Sequence, residues 1–555
     1  MTVPGTFTVR QNKKHYFYVA TLIFTICYTF IYSSGGMIDI SNHDYMYYMH
    51  LCSNSNYKEY PMISGTMLLY KPLYILFGNS YWMWQKFHWL LNLTILFIPF
   101  FCLLNYNQRR SYLIVAVLLV LTASNRIGCE PPRLVYFFLS IALTSLIKYH
   151  KSKRFLWIII ISICLSFIAY VRFPSLFVYP VITLAVMCLS NNIKHKITII
   201  LLPLITFFIL ISLTSGDIQS YFYDLSNSLK STSSGSHSIK QLFIACIQSV
   251  FCDTIYSIVI LLPFILFSLW NKRKKKIFFI ASFICLALSV FCIFHCPPSG
   301  NNPTIHLFNY TLSLIFYHPI PQLYGTLFIA ILILYLRDSN FNKSNIAIGF
   351  AIVFASMLAS TGSDFGFIHE YMSIAFLPFI AINTPSIHPN KKHINPMRLI
   401  FLCLCYALIL STLYSQYKKL NHNYYNEGTI NVINGGIISD NLNYVFFGKQ
   451  DYNRMSDMQY EYNRLKIKYT DVVFWGWWSY YMSLANNKWP ITSEWDISSK
   501  DSNGKALNDL KDYSSAHKVT IIDTEKHVNT EKLLSSLGYI HIEKQYYRVY
   551  IPQHE

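Results

Sequence analysis

The sequence predicts an α-helical polytopic membrane bundle of about 13 transmembrane helices, followed by a small C-terminal α/β domain outside the cytoplasm. The first observation is composition: 53% of the 555 residues are hydrophobic, 17% are aromatic and only 13% are charged. Soluble domains carry about 25% charged residues, so this chain has too little charge to cover a water-exposed surface. The other two observations are a series of apolar runs and the placement of basic residues between them.

A transmembrane helix needs about 20 mostly apolar residues. The candidate runs, several of them shorter than this, are 15–34, 86–104, 112–124, 134–147, 155–171, 173–189, 196–213, 243–270, 276–296, 319–336, 345–360, 367–383 and 397–414. The first run follows Arg10, Lys13 and Lys14, as the apolar part of a signal peptide does. Its apolar core is too long and lacks a small-x-small cleavage site, so we predict a retained first helix.

Clusters of Lys and Arg follow every second run, which puts all of them on the side of the N-terminus. The clusters lie at 109–110, 148–154, 194–196, 272–276, 337–343 and 391–392. Basic loops mark the cytoplasmic side of a membrane protein, so we attribute the net charge of +19 to topology. No basic patch is interleaved with aromatic residues as single-stranded nucleic acid requires, and we predict no nucleic-acid partner.

The same alternation puts several longer segments and the whole tail on the outer side. These segments are 35–80, 125–133, 214–241, 297–318 and 361–366. We therefore divide the chain into a transmembrane domain, 1–414, and an extracytoplasmic α/β domain, 415–555. Strand-like runs in the tail lie at 444–447, 472–475, 519–522 and 546–551, and helical stretches lie at 455–468 and 530–537.

The first outer loop carries two carboxylates and a histidine directly after the first predicted helix. Asp39, His43 and Asp44 are followed by Tyr45 and further aromatic residues, and Lys71 comes later in the same loop. A carboxylate at this position could act as the general base that takes a proton from an acceptor hydroxyl. The alternative is structural, because Asp39 or a neighbouring serine could cap a short interfacial helix.

The second outer loop places Arg126, Glu130 and Arg133 within eight residues between two short apolar runs. Ionisable groups at membrane depth are costly and usually mark a pathway or a site. Two arginines could hold a phosphate through charge-assisted hydrogen bonds, although Glu130 could instead pair with either arginine. Arg172, at the outer end of the fifth run, either joins them or reaches to lipid headgroups.

The remaining chemical signals are weaker. Asp364 lies between glycines in the loop 361–366, where a plain turn is the simpler interpretation. The sequence contains no zinc signature, and it has no G-x-x-x-x-G-K-[ST] loop of the kind that a nucleotide-driven transporter needs.

Taken in order, these pieces resemble the membrane-embedded glycosyltransferases of the GT-C superfamily. The D-Y-M-Y-Y run at 44–48 and the K-P-L-Y run at 71–74 are similar to the family's first outer loop and its proline-containing helix. Arg126, Glu130 and Pro131, before an aromatic-rich stretch, match the order of the second loop. The V-V-F-W-G-W-W-S-Y-Y run at 472–481 is similar to the strand and Trp-rich turn of GT-C outer domains, although Ser479 replaces an expected acid.

The resemblance implies a donor sugar linked to a polyprenyl phosphate, and a glycan, lipid or protein acceptor on the outer side. The abundance of Asn, Ile, Lys and Tyr is typical of an AT-rich bacterial gene, from which we predict an inner membrane and undecaprenyl phosphate as the carrier. Asp44 would be the general base, assisted by Asp39 or Glu130, and the reaction would invert the anomeric centre. The charge on the leaving phosphate would be stabilised by basic residues, namely Arg126, Arg133, Arg172 and Lys71. His43, Tyr45, Asp364 and the tail residue Trp477 would contact substrates. No cofactor is implied with certainty, and a divalent metal is used by part of the superfamily.

Two other classes of protein remain open at this point. A polysaccharide polymerase uses the same kind of donor, but its arginine-rich outer loops typically lie in the middle of the chain. A flippase or other transporter predicts related halves and charges that line a central cavity, and the sequence has few charges inside its apolar runs.

Overall fold

The structure is a computed structural model that describes residues 64–103, 131–233, 343–359, 432–487 and 503–553, except a few single positions within them, and isolated residues at 23 and between 262 and 284. The described part is mostly helical and contains a small sheet. The predicted runs 15–34, 112–124, 243–270, 276–296, 319–336, 367–383 and 397–414 lie wholly or mostly outside it, as does the predicted domain boundary at 414.

Eight α-helices form the first part of the described chain. They are α1 Ser64–Phe77, α2 Tyr81–Leu103, α3 Pro131–Ser152, α4 Phe155–Val171, α5 Val178–Leu189, α6 Ile193–Ser215, α7 Ile218–Ser233 and α8 Lys343–Leu358. A 3₁₀ helix, Phe173–Phe177, joins α4 to α5. Six of these helices correspond to predicted runs, and α4 has the predicted bounds. Helices α1 and α7 lie within segments predicted as outer loops, and α1 contains the proline Pro72.

Within the described residues, one helix is long enough and apolar enough to cross a membrane, at Ile193–Thr214 in α6. Only 22% of its apolar 18-residue stretch is buried inside the protein. The other apolar helices are shorter, at Leu93–Leu103, Phe155–Val171, Phe173–Leu189 and Ile346–Ser356.

Helix α4 is the centre of this bundle, since it packs against α1, α3 and α6. Polar side chains of α4 form hydrogen bonds with α6. Ser166 Oγ donates to the Pro203 carbonyl of α6 at 2.8 Å. One turn later the Tyr170 hydroxyl donates to Thr214 Oγ1 at 2.6 Å. These two bonds fix α4 and α6 side by side in the same direction.

The bundle end that lies away from the Tyr170–Thr214 contact is basic. There the Tyr149 hydroxyl forms a 2.8 Å hydrogen bond with His195 Nδ1, and Lys153 Nζ donates to the Leu189 carbonyl at 2.8 Å. These contacts, with the stacking of the Phe155 ring on His195, bring together the end of α3, the start of α4, the end of α5 and the start of α6. The basic clusters at 148–154 and 194–196 therefore lie together at one end, which we call the lysine end.

The described part of the tail forms an α/β unit. Its elements are β1 Val432–Asn434, β2 Phe446–Gly448, α9 Lys449–Lys468, β3 Val472–Trp475, α10 Ser479–Asn486, α11 Asn503–His517, β4 Thr520–Asp523, α12 Val528–Ser536, β5 Tyr539–Glu543 and β6 Arg548–Pro552. Strands β1 and β2 pair antiparallel. The main sheet has the order β3-β4-β6-β5, in which β3 and β4 are parallel and the other pairs are antiparallel.

One face of this sheet packs against α11 and α12. The shared core contains Trp475, Ile521 and Tyr550 from the strands together with Leu510 and Leu534 from the two helices. The predicted strand at 472–475 is confirmed as β3, and the tail is a small α/β unit as expected.

A substitution at Gly65 tests the packing of α1 on α4. A Cβ atom there would lie 2.5 Å from both Cδ1 and the carbonyl oxygen of Tyr170, and the backbone atom cannot rotate away. We expect Gly65→Ala to destabilise the chain by about 1–3 kcal/mol, the usual range for overpacking, although alanine itself favours helix. The thermal unfolding midpoint of the purified full chain measures this effect.

The matched control is Ile75→Ala on the same helix, because the Ile75 side chain is 73% exposed. An unchanged midpoint in Gly65→Ala would show that α1 does not pack on α4 as closely as described.

Candidate functional site

The predicted catalytic residues and most of the predicted substrate contacts lie outside the described residues. These are Asp39, His43, Asp44, Tyr45, Arg126, Glu130, Asp364 and Trp477. Three predicted site residues, Lys71, Arg133 and Arg172, have described positions.

Arg172 lies at the break between α4 and the 3₁₀ helix. Its backbone is extended, with φ −150° and ψ 102°, where the chain leaves α4 and before the 3₁₀ helix begins. The side chain is 7% exposed, and its Nη1 lies 3.5 Å from Ser175 Oγ. Ser175 Oγ in turn donates to the Ala359 carbonyl, just after α8, at 2.7 Å.

Arg133 lies in the first turn of α3 and is 6% exposed. One turn further on, the Tyr136 hydroxyl donates to the Ser356 carbonyl in the last turn of α8 at 3.0 Å. Arg133 and Arg172 thus lie in elements that both hydrogen bond to the C-terminal end of α8. We call this part of the bundle, defined by the two arginines and the last turn of α8, the arginine end.

The N-terminus of α1 also reaches the arginine end. Thr66 Oγ1 donates to the Val171 carbonyl, beside Arg172, at 2.8 Å. Lys71 follows Thr66 by five residues, or about 7.5 Å along the helix axis, and its side chain is half-buried. The structure therefore brings the two predicted arginines to one end of the bundle and places Lys71 on a helix that starts there.

The chemistry of the arginine end follows from burial. A guanidinium group has five N–H donors in one plane, and removing it from water is costly unless polar groups satisfy those donors. Arg133 is itself the last residue of the predicted outer loop 125–133. The guanidinium donors of the arginine end suit an oxyanion, because planar guanidinium groups form paired hydrogen bonds with phosphate.

A second polar site, which sequence reasoning missed, lies at the carboxyl edge of the parallel strands β3 and β4. After β3 the chain turns at Gly476, whose φ of +103° is in the left-handed region, and a Cβ there would lie 2.4 Å from Thr524 Oγ1. Thr524 joins the ends of the two strands. Its amide donates to the Trp475 carbonyl at 2.8 Å, and its Oγ1 accepts from the Trp478 amide at 3.2 Å. In open α/β sheets, ligands bind outside such carboxyl edges.

The acid at this edge is Asp523, which is fully buried at the end of β4. Its carboxylate accepts from the His527 amide at 2.8 Å, from the Glu525 amide at 3.2 Å, and bonds His527 Nδ1 at 2.9 Å. Burial alone lowers the pKa of His527, but the hydrogen bonds and charges of Asp523 and Glu525 outweigh it and raise the pKa to about 9.

A cation from the neighbouring helix completes this edge. Arg454 of α9 donates through Nη2 to the Thr524 carbonyl, and its guanidinium lies 5.2 Å from the centre of the Trp478 ring. Trp475 Nε1 donates to Thr530 Oγ1 at 3.0 Å, which fixes the indole beneath the edge. The D-T-E-K-H run at 523–527, which directly follows a predicted strand, is the sequence pattern that could have indicated this polar site.

The described ranges contain no group of three or more His, Cys, Asp or Glu side chains that could hold a metal ion. The acids that the resemblance would assign to a divalent metal, Asp39, Asp44 and Glu130, lie outside those ranges.

Comparison with known proteins adds no assignment: no family model matches the chain, and no curated protein is significantly similar to it in sequence.

The His527–Asp523 pair predicts a pH dependence of the tail. Because the folded pKa of about 9 exceeds the unfolded value of about 6.5, the contribution to stability is complete below pH 6.5 and is lost as the pH rises to 9. We expect hydrogen exchange of β4 and α12 in the full chain, corrected for intrinsic rates, to show falling protection across this window. His527→Gln should remove most of that dependence.

The control is His541→Gln, a histidine on the edge strand β5 that does not contact Asp523. A pH profile that His527→Gln leaves unchanged would contradict the assigned role of the pair.

Proposed function

We propose that the chain is an integral-membrane glycosyltransferase of GT-C type that transfers a sugar from a polyprenyl-phosphate donor to an acceptor on the non-cytoplasmic side. The observation that carries the proposal is the burial of Arg133 and Arg172 at one end of the bundle, with Arg133 the last residue of the segment 125–133. Two cationic groups with planar donors at this position suit the phosphate of a lipid carrier.

The exposed surface of α6 supports the membrane part of the proposal. One side chain in each turn is exposed, at Ile193, Ile197, Leu201, Ile205, Ile209 and Leu213. This apolar stripe extends over about 30 Å, which equals the hydrocarbon thickness of a bilayer. An apolar face of that length is stable against lipid and unfavourable against water.

The two ends of the bundle support the proposed orientation. Lys151, Lys153 and Lys194 lie at the lysine end, where the positive-inside rule would put the cytoplasm. Helix α3 begins at the arginine end, whereas α4, α6 and α8 end there. That is the alternation which a cytoplasmic N-terminus and about thirteen spans require.

In the proposed reaction, an acceptor hydroxyl oxygen attacks the anomeric carbon of the donor and Asp44 takes its proton. The bond between that carbon and the phosphate oxygen breaks, the configuration inverts, and polyprenyl phosphate leaves with the electron pair. Arg133 and Arg172, with Arg126 and Lys71, stabilise the charge that develops on the phosphate, which is the effect expected to contribute most. Asp39 or Glu130 orients the acceptor, and the tail around Trp477 shapes the acceptor site.

Topology is tested by alkaline phosphatase fusions, which are active only outside the cytoplasm. We expect low activity after Lys153, which lies at the lysine end, and high activity after Asp217, which lies at the arginine end. High activity is also expected after Gln553, because the proposed topology puts the tail outside the cytoplasm. Equal expression of the three fusions is the control. High activity after Lys153 would invert the proposed orientation.

Catalysis is tested by transfer of radiolabelled sugar from polyprenyl-phosphate-sugar donors in membranes that contain the full chain. We expect Asp44→Asn to abolish transfer, and Arg172→Gln or Arg133→Gln to lower it by about 100-fold, as removal of a transition-state donor does. Arg172→Lys should retain part of the activity because it keeps the charge and loses the planar donors.

The matched control is Arg154→Gln, an exposed arginine at the lysine end, which should transfer at the wild-type rate. Equal transfer by all variants would remove Asp44 and both arginines from the site. No transfer by the wild type from any donor would favour a flippase instead.

A further inference from the structure

Helix α7 follows the apolar helix α6 at the arginine end, and its N-terminus is capped by a side chain. The Asp217 carboxylate accepts from the Gln219 and Ser220 amides, both at 3.0 Å, and from Ser220 Oγ at 2.9 Å. This cap satisfies amides at the start of α7 that would otherwise lack partners.

One face of α7 docks on the bundle. Tyr221 and Leu225, one turn apart, are buried against Tyr170, Phe207 and Ile211. The Tyr221 side chain also hydrogen bonds with Ser64 at the start of α1. Helix α7 is thus held at a fixed position relative to both α6 and α1.

The neighbouring face of α7 is apolar and exposed. Ile218 and Phe222 are each 37% exposed, and Tyr223 is 68% exposed. The Phe222 ring lies 6.2 Å from the ring of Phe208 on α6, which is itself exposed. The exposed face of α7 is therefore continuous with the exposed apolar stripe of α6.

We propose that α7 lies in the outer membrane–water interface, with Ile218 and Phe222 among the upper acyl chains and Tyr223 at the level of the headgroups. This inference rests on the proposed membrane location of α6. With 16 residues, of which most are polar, α7 is too short and too polar to span a bilayer. An amphipathic helix with aromatic residues on its apolar side is typical of the interface.

This placement has a consequence for the candidate site. Because Tyr221 connects α7 to the start of α1, and Thr66 of α1 bonds beside Arg172, an anchored α7 sets the depth of the arginine end. The phosphate of a membrane-borne carrier lies at the same interface, so the anchor holds the arginines level with it.

The experiment is labelling of the full chain, in phosphatidylcholine vesicles, with a lipid-soluble diazirine that is photolysed to a carbene, followed by peptide mapping. We expect label on the exposed side of α6 and on the peptide that contains Phe222 and Tyr223. Tyr460 and Ile467 of the tail helix α9 are 73% and 90% exposed, and they serve as the apolar control that should stay unlabelled.

The outcomes separate this inference from the proposed function. Label on α6 without label on α7 overturns the interfacial placement alone, and means that water or another protein covers that face. Absence of label from both helices overturns the membrane location together with this inference.

A pair of variants excludes chance labelling of an exposed aromatic residue. Phe222→Glu should lower the α7 label severalfold relative to the α6 label, because a carboxylate disfavours the interface. Asn227→Glu, which adds the same charge at a position half a turn around α7 from Ile218, should leave that ratio unchanged. An equal decrease in both variants would overturn the assignment of Phe222 to the lipid-facing side.

Discussion

Hydrogen bonds around the C-terminal end of α4 hold together the helices on which the proposed site depends. Ser166 and Tyr170 bond α6, the Val171 carbonyl accepts from α1, and Ser175, just beyond α4, bonds the end of α8. In an apolar setting such bonds have no competition from water, so each helix is fixed in register as well as in position. The burial of Arg172 follows from this arrangement, because the chain leaves α4 where its neighbours converge.

The helices that the sequence predicted best are those whose limits are marked by charge. Helix α4 is apolar from Phe155 to Val171 and is bounded by Arg154 and Arg172, so its predicted and observed limits agree. Helix α3 extends five residues beyond its predicted end at 147, since the basic residues there continue the helix into the lysine end. Helix α7 lies in a segment that the sequence predicts as an outer loop, because most of its residues are polar. Its docking side chains, Tyr221 and Leu225, are identified only by their tertiary contacts.

The same distinction applies to the two candidate sites. Arg133 and Arg172 could be predicted, because a charge at the end of an apolar run is visible in sequence, but their shared position beside α8 depends on Ser356 and Ala359, far along the chain. In the tail, β3 was predicted from its apolar run, whereas β5 was missed although Ile540 and Ile542 alternate with polar residues. The contact of Arg454 with Thr524 spans 70 residues, and no local pattern could indicate it.

The central claim is that the arginine end binds the phosphate of a lipid carrier. The most direct measurement is the affinity of the purified full chain for undecaprenyl phosphate, compared among wild type, Arg172→Gln, Arg133→Gln and the exposed-arginine variant Arg154→Gln. A hydrogen bond to a charged group contributes about 1.5–3 kcal/mol, so each of the first two variants should weaken binding by about tenfold or more. Arg154→Gln should bind as the wild type does. Equal affinity in all four proteins would contradict the account.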